Sequence, residues 1–290
     1  AGPVLGGVIT TEFGWRYIFL FNLPIGIVAF FVAQKYLVKS ERHHGVKFDI
    51  PGAATMTLAL LALLLVLTEY PNLGTVAIGG LAAGFAILIG VFIFIEGRIR
   101  APMIELKLFR DSRFSGANLA AFLNFAARFS VVFLFPFYLV EVRGMPTSHA
   151  GFVMTPTVLL FAFIAPFSGS LSDRIGSRLL TTVGMLLTVA GFALLSFLQA
   201  DSSLWFILGS LSLMGIGGGL FSSPNVSTIM GSVPRERLGN AGAMTALVRN
   251  LGMIVGVAWS GAVFSAIRGH GLDFDESVGN IVPALRTTML

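Results

Sequence analysis

Long hydrophobic stretches, separated by short polar segments, follow one another along the whole chain. Most of them hold about 20 residues, the length at which a helix crosses a hydrocarbon core of about 30 Å. They lack the strict alternation of hydrophobic and polar positions that is typical of membrane strands. The pattern therefore predicts an all-α, polytopic membrane helix bundle with eight full transmembrane helices and a partial helix at each end. The predicted spans are 17–38, 51–69, 75–96, 114–140, 149–170, 179–199, 203–226 and 241–266.

The composition points to a lipid bilayer as the main partner of the chain. Only 11% of the residues are charged and 55% are hydrophobic, whereas soluble domains carry about 25% charged residues. The net charge of +5 comes without a nucleic-acid-binding motif, so no nucleic-acid partner is expected. The chain has no cysteine, which excludes disulfides, thiolate metal sites and cysteine nucleophiles.

Basic residues alternate between two sets of predicted loops. Thirteen of the 19 Lys and Arg residues fall in one set and four in the other, and the remaining two, Arg128 and Arg249, lie within spans. Basic loops stay on the cytoplasmic side. The asymmetry therefore predicts the orientation of a multi-pass protein of the plasma membrane. The loops predicted to be cytoplasmic are 39–50, 97–113, 171–178 and 227–240.

One predicted span carries a polar and aromatic stripe on an otherwise apolar helix. Asn124, Arg128, Phe135 and Tyr138 fall within an arc of about 80° when each residue turns the helix by about 100°. A charge near the middle of a bilayer costs at least about 2.5–3.5 kcal/mol on insertion scales, so Arg128 is expected to face a water-filled substrate cavity. A structural arginine that pairs with another helix is the alternative. Arg249 is a further cavity candidate, with snorkelling to the interface as its alternative.

Four segments of the chain match motifs of one family of membrane proteins. Residues 2–7 read GPVLGG, and residues 15–26 contain WRYIF followed by NLPIG. Residues 169–178 read GSLSDRIGSR, and residues 249–258 begin with RNLG, where the family usually has RQLG. In their order, spacing and predicted sidedness these segments resemble the major facilitator superfamily, and in particular its fourteen-helix drug:proton antiporters of the EmrB/QacA type.

The resemblance implies three parts of a longer protein. Residues 1–38 would end an amino-terminal helix bundle, and residues 39–113 would hold a cytoplasmic loop, two linker transmembrane helices and a second cytoplasmic loop. Residues 114–290 would form the carboxy-terminal bundle without its last helix. The chain is thus expected to be a fragment that lacks the first four helices of the family and has the missing amino-terminal half as a partner.

The function implied by the resemblance is proton-coupled efflux of hydrophobic or amphipathic drugs by alternating access. The expected partners are a small lipophilic or cationic substrate and protons, and no cofactor is expected. A facilitator-type importer of a sugar, an organic acid or a siderophore is the first alternative. A non-transporting membrane scaffold or channel is the second, although it would need neither Arg128 nor the complete motif at 169–178.

Two of the matching segments hold residues whose roles the resemblance implies. At the predicted cytoplasmic mouth, an acid and two bases would form a charge lock that is made in one conformation and broken in another. A solvated loop that follows the positive-inside rule is the alternative. The residues of this gate motif are Gly169, Asp173, Arg174, Gly176 and Arg178. The antiporter motif would form an interdomain hinge or seal, with a small-residue packing face as its alternative. Its residues are Gly2, Pro3, Gly6 and Gly7.

An enzyme or a metal site is not expected from this sequence. An intramembrane enzyme needs a nucleophile with a base, or a metal cluster, at membrane depth. No histidine lies deep inside a predicted span, and the adjacent pair His43 and His44 lacks a third ligand at metal-binding spacing. The chain also lacks a Walker-type phosphate loop, so ATP is not expected to drive it directly.

Overall fold

All eight predicted spans are helical in the computed structural model of the chain, which describes residues 6, 9–10, 12–36, 49–69, 73–99, 102 and 104–268. The helices are α1 (Arg16–Tyr36), α2 (Ile50–Thr68), α3 (Thr75–Glu96), α4 (Ser112–Phe137), α5 (Thr147–Ile175), α6 (Ser177–Ser196), α7 (Leu204–Gly231) and α8 (Leu238–Arg268). Seven helices of the described ranges are long and apolar enough to cross a membrane, and α2 contains a shorter apolar helix, Ile50–Val66. The prediction of an all-α membrane helix bundle is therefore confirmed. The partial helices predicted at the two ends lie largely outside the described residues.

Several helices extend beyond the hydrophobic segments that predicted them. Helix α5 continues to Ile175, so the loop predicted at 171–178 shrinks to Gly176 before α6 begins. The connection predicted at 97–113 contains a 3-10 helix, Leu106–Arg110, and α7 continues to Gly231. Hydrophobicity marks the part of a helix that lies in lipid, but the backbone hydrogen bonds continue into the polar region.

Two aspartates mark the first turns of their helices. The Asp49 carboxylate accepts the N–H of Gly52 at 2.8 Å, and Pro51 occupies the first turn of α2. At α4, the Asp111 carboxylate accepts the N–H of Arg113 at 2.7 Å and the N–H of Phe114 at 3.2 Å. Each side chain satisfies backbone donors that have no partner inside the helix.

Helix α7 occupies the centre of the carboxy-terminal bundle, packed against both α5 and α6, while α4 packs against α8. Glycines allow the close contacts of α7. A Cβ atom added to Gly217 would lie 2.6 Å from the carbonyl oxygen of Gly184 on α6, and one added to Gly215 would lie 2.6 Å from that of Thr157 on α5. Small residues let helix backbones approach within a membrane, which explains the glycine-rich middle of α7.

The helix pair α2 and α3 forms a hairpin that packs on α8. Met56, Phe92 and Ile104 are buried together, with Met244 and Leu247 of α8 against them. Helix α1 has no buried residue among those described. The hairpin is therefore attached to the carboxy-terminal bundle through one side of α8.

Candidate functional site

Arg128 lies in the middle of α4 and extends between α5 and α7. Its guanidinium carbon lies 4.3 Å from the centre of the Phe161 ring on α5, in a cation–π arrangement. On the α7 side, a Cβ atom added to Gly218 would lie 3.0 Å from Arg128 Nη1. The side chain is half-buried, and no ion pair on Arg128 occurs among the described residues. We refer to Arg128, Phe161 and Gly218 as the Arg128 site.

Asn124 lies one helical turn before Arg128 and faces α6. The residue is 3% exposed, and its Nδ2 atom donates to the sulfur of Met185 at 3.3 Å. The stripe on α4 therefore divides already at this turn, since Asn124 contacts α6 while Arg128 reaches α5.

Phe135 and Tyr138 have no surface toward a cavity, contrary to the geometric expectation that the whole stripe faces water. Both side chains are 0% exposed and belong to a core that also contains Leu195 and Ile207. The Tyr138 hydroxyl donates to the backbone oxygen of Gln199 at 2.7 Å. A common arc means that the side chains leave α4 on the same face. Near the end of α4, however, side chains of α6 and α7 pack against that face and bury it.

Arg249 lies away from the Arg128 site, on α8. Its side chain is exposed, whereas Gly252 and Gly256, one and two turns further along, contact the backbone of α4 at Phe122 and Ala126. Arg249 thus belongs to a surface of α8, and within the described chain it does not share a cavity with Arg128.

The gate motif spans the end of α5 and the start of α6. Its two glycines have separate structural roles. A Cβ atom added to Gly169 would lie 2.6 Å from Ser223 Oγ on α7. Gly176, the single turn residue, has φ +89° and ψ 143°, a region that is essentially restricted to glycine.

The three charged residues of the gate motif, Asp173, Arg174 and Arg178, are all exposed. Asp173 and Arg174 lie in the last turn of α5, whereas Arg178 lies in the first turn of α6. None of these three residues makes an ion pair within the ranges that the structure covers. The ion pair found in those ranges joins Glu105 to Arg237, outside the gate motif, at 2.7 Å.

The antiporter motif falls almost wholly outside the described residues. Gly2, Pro3 and Gly7 are not among them, and Gly6 is helical with no atom within 4 Å of an added Cβ.

A groove that the sequence did not predict lies between α4, α6 and α7. It encloses about 980 Å³ at the end of the bundle where the basic loops lie, and Arg113 and Arg178 both line it. We call it the α4–α6–α7 groove. Its residues come from three separate helices, so no spacing in the sequence could reveal it; the available signal was a pair of arginines, each in the first turn of its helix.

Metal chemistry has no candidate site in the described ranges, where no three His, Asp or Glu side chains are grouped so that they could hold an ion.

Comparison with known proteins places these features in a family context. The family model described as Major Facilitator Superfamily matches residues 1–257. The riboflavin transporter RibZ of Clostridioides difficile is 36% identical over 272 residues, which cover 91% of this chain and 58% of RibZ. The multidrug resistance protein Stp of Mycobacterium tuberculosis is 31% identical over 267 residues, covering 91% of this chain and 50% of Stp. The chain therefore spans about half the length of the curated relatives it matches.

A solved structure shares the fold at low sequence identity. It is a bacterial homologue of the human lysosomal transporter Spinster, crystallised in an inward-facing and unoccupied conformation. The TM-score is 0.53 and the identity 17%, with 83% of this chain and 61% of the other covered.

Proposed function

Because the chain belongs to the Major Facilitator Superfamily, we propose that it forms the carboxy-terminal part of a proton-coupled exporter of hydrophobic or amphipathic compounds. The full protein would be a fourteen-helix antiporter of the EmrB/QacA type, in which the two halves rock around a site near the bilayer midplane. Residues 1–38 would end the first half, 39–113 would hold the linker helices, and 114–290 would supply the second half. The half-length match to the curated relatives supports the view that the chain is one part of a longer transporter.

The observation that carries the proposal is the Arg128 site. A guanidinium group at mid-membrane is costly unless it serves a water-filled or ligand-filled space. The Phe161 ring centre lies 4.3 Å from the guanidinium carbon of Arg128, and Gly218 lets the guanidinium group approach α7 closely. Together these groups give one polar anchor and one aromatic surface, a combination that suits amphipathic molecules.

The proton-binding group of the proposed antiporter would lie in the other half of the protein. Helices α4 to α8 contain no acidic residue away from their ends, so a carboxyl group at membrane depth has to come from another part. The exposed Asp173, with Arg174 and Arg178, would act as a gate on the cytoplasmic side, where loops 97–113, 171–178 and 227–240 are proposed to lie.

Transport of a small solute such as a vitamin is the second candidate function. RibZ, named as a riboflavin transporter, is 36% identical to this chain, compared with 31% for the multidrug resistance protein Stp. A flat, polar-edged solute would fit the same pair of groups, since Phe161 can stack and Arg128 can donate.

A transport assay on the full-length protein separates these functions. Cells that express it are loaded with a lipophilic cation dye, with and without a proton uncoupler, and riboflavin uptake and export are measured in parallel. Efflux predicts low dye accumulation that rises when the uncoupler is added. Dye accumulation equal to that of cells lacking the protein, together with riboflavin movement, would favour the second candidate.

Two substitutions then separate the site from the gate. Arg128→Ala should weaken substrate binding about 10-fold, because it removes the cation that contacts Phe161. Asp173→Asn should leave binding unchanged and reduce transport, because it alters only the charges at the cytoplasmic end. Wild-type binding and transport in both variants would reject both assignments.

A further inference from the structure

The α4–α6–α7 groove combines unpaired positive charge with an apolar inner end. Arg113 and Arg178 line its polar end, and within residues 104–268 neither guanidinium group has a hydrogen-bond or ion-pair partner. Among the described residues, no acidic side chain lines the groove. The nearby Asp111 is engaged as the N-cap of α4, where its carboxylate accepts two backbone N–H groups. The polar end therefore attracts an anion.

Polar contacts between helices form the floor of the groove. Asn225 Nδ2 on α7 donates to the carbonyl oxygen of Ala117 on α4 at 3.1 Å. Thr228 Oγ1 on α7 lies 3.0 Å from Ser177 Oγ on α6 and 2.9 Å from the carbonyl oxygen of Pro224. The two hydroxyl groups therefore join α6 to α7 at the floor of the groove. The helix end adds further donors, since no side chain caps the first turn of α6.

The inner end of the groove is lined by apolar side chains. Ala120, Met185 and Phe221 line it, together with Leu186, whose side chain is 63% exposed on the outer face of α6. Cationic groups at the membrane boundary above an apolar crevice match the two parts of a phospholipid. The volume of about 980 Å³ lies within the range of roughly 300–1,000 Å³ that small-molecule sites occupy.

We propose that the α4–α6–α7 groove binds an anionic phospholipid of the leaflet on the basic side. Its phosphate would contact Arg113 and Arg178, and an acyl chain would lie along Ala120 and Leu186. Basic pockets between transmembrane helices recognise anionic head groups in this way. The site is separate from the Arg128 site, where the arginine contacts Phe161 on α5, and it shares Arg178 with the gate motif.

Native mass spectrometry of the full-length, delipidated protein tests the charge preference. Phosphatidylglycerol should be retained, and phosphatidylcholine, which carries no net charge, should not. The double variant Arg113→Gln/Arg178→Gln should weaken phosphatidylglycerol binding about 30-fold, as expected when two juxtamembrane cations are removed. The matched control is Arg110→Gln/Arg174→Gln, which removes the same charge from exposed positions of the same end that do not line the groove. An equal loss in both double variants, or none in the first, overturns the proposal.

A second measurement locates the lipid and identifies competing occupants. Because this chain has no cysteine, a single fluorophore can be placed on Ala120→Cys once any cysteine in the rest of the full-length protein is replaced by serine. Phosphatidylglycerol with brominated acyl chains should quench its emission. Displacement of that lipid by excess inorganic phosphate would assign the site to a free anion. A cross-link between cysteines at Ala120 and Ile281 would assign it to the chain's own residues 269–290. Either result, or unquenched emission, rejects a lipid site.

Discussion

Arg128 is held by contacts of its guanidinium group with two other helices. The cation–π contact with Phe161 fixes one face of the guanidinium plane, and Gly218 provides the space beside it. A larger residue at position 218 would take that space from the arginine, so a glycine on α7 controls the position of a charge on α4. Gly217, next to it on α7, faces the backbone of α6 instead. Substitutions at the two glycines therefore separate an effect on Arg128 from an effect on helix packing.

Gly218→Ala should alter substrate binding with little loss of stability. The new Cβ would lie 3.0 Å from Arg128 Nη1 and 3.3 Å from Phe161 Cδ2, and a long arginine side chain can move away. Gly217→Ala is the matched variant: its Cβ would lie 2.6 Å from Gly184 O and 2.6 Å from Thr188 N on α6. Backbone atoms cannot yield so easily, and we expect a loss of about 1–3 kcal/mol in stability.

Thermal unfolding in detergent and equilibrium binding of the transported compound check this pair. The expected result is a lowered melting temperature for Gly217→Ala alone and a changed affinity for Gly218→Ala. If Gly218→Ala binds substrate with wild-type affinity while Arg128→Ala does not, the space beside Arg128 has no role in binding.

At the scale of helices, α4 and α8 are joined by a close backbone contact. A Cβ atom on Gly252 would lie 2.6 Å from the carbonyl oxygen of Phe122, and one on Gly256 would collide with the backbone of Ala126. Ser130 Oγ on α4 donates to the Gly256 carbonyl oxygen at 2.9 Å. Small residues spaced by four and a hydroxyl bond across the interface are the features that associate helices in lipid.

Gly256→Ala should therefore destabilise the contact between α4 and α8 by about 1–3 kcal/mol, because the added methyl group meets backbone atoms. Gly261→Ala serves as the control on the same helix, since its Cβ would lie 3.6 Å from Phe133 Cε1, an ordinary contact. Unfolding of the purified full-length protein, followed by helical circular dichroism against temperature, measures both. Equal melting temperatures for the two variants would contradict the packing role of Gly256.

At the scale of the whole molecule, the hairpin of α2 and α3 is joined at one end of the bundle to α8. The buried contacts of Phe92 and Met56 with α8 carry most of this attachment. The ion pair between Glu105 and Arg237 lies nearby, but Arg237 is 43% exposed, and pairs in such positions contribute only about 0–1 kcal/mol. The apolar contact is therefore the main link between the hairpin and the bundle.

The basic end of the molecule should face the cytoplasm. Because this chain has no cysteine, single cysteines can be placed in it once any cysteine in the rest of the full-length protein is replaced by serine. Suitable positions are Ser232, beside the basic connection to α8, and Ser202, at the opposite end between α6 and α7. A membrane-impermeant thiol reagent added to intact cells should label Ser202→Cys, and Ser232→Cys should react only after the membrane is opened. The reverse pattern would refute the orientation predicted from the basic residues.

How much of the site could be predicted differs from residue to residue. Arg128 was identified because a charge stands out in an apolar span, and the structure places it between three helices. Phe135 and Tyr138 share its arc, yet they are buried because α6 and α7 cover that part of α4. The α4–α6–α7 groove went unpredicted because Arg113 and Arg178 belong to separate helices whose distance the sequence does not contain.

The sequence by itself determined which segments are helical, because a bilayer demands about 20 apolar residues for every crossing. Of the eight predicted full spans, seven correspond to helices of the described ranges that are long and apolar enough to cross. It also determined the predicted sidedness, since charge cannot cross lipid cheaply. Only the tertiary structure decided where α5 ends, which arc residues are enclosed, and which arginines share a groove. Those outcomes depend on contacts between residues far apart in the chain, and close packing leaves each pair of helices few ways to meet.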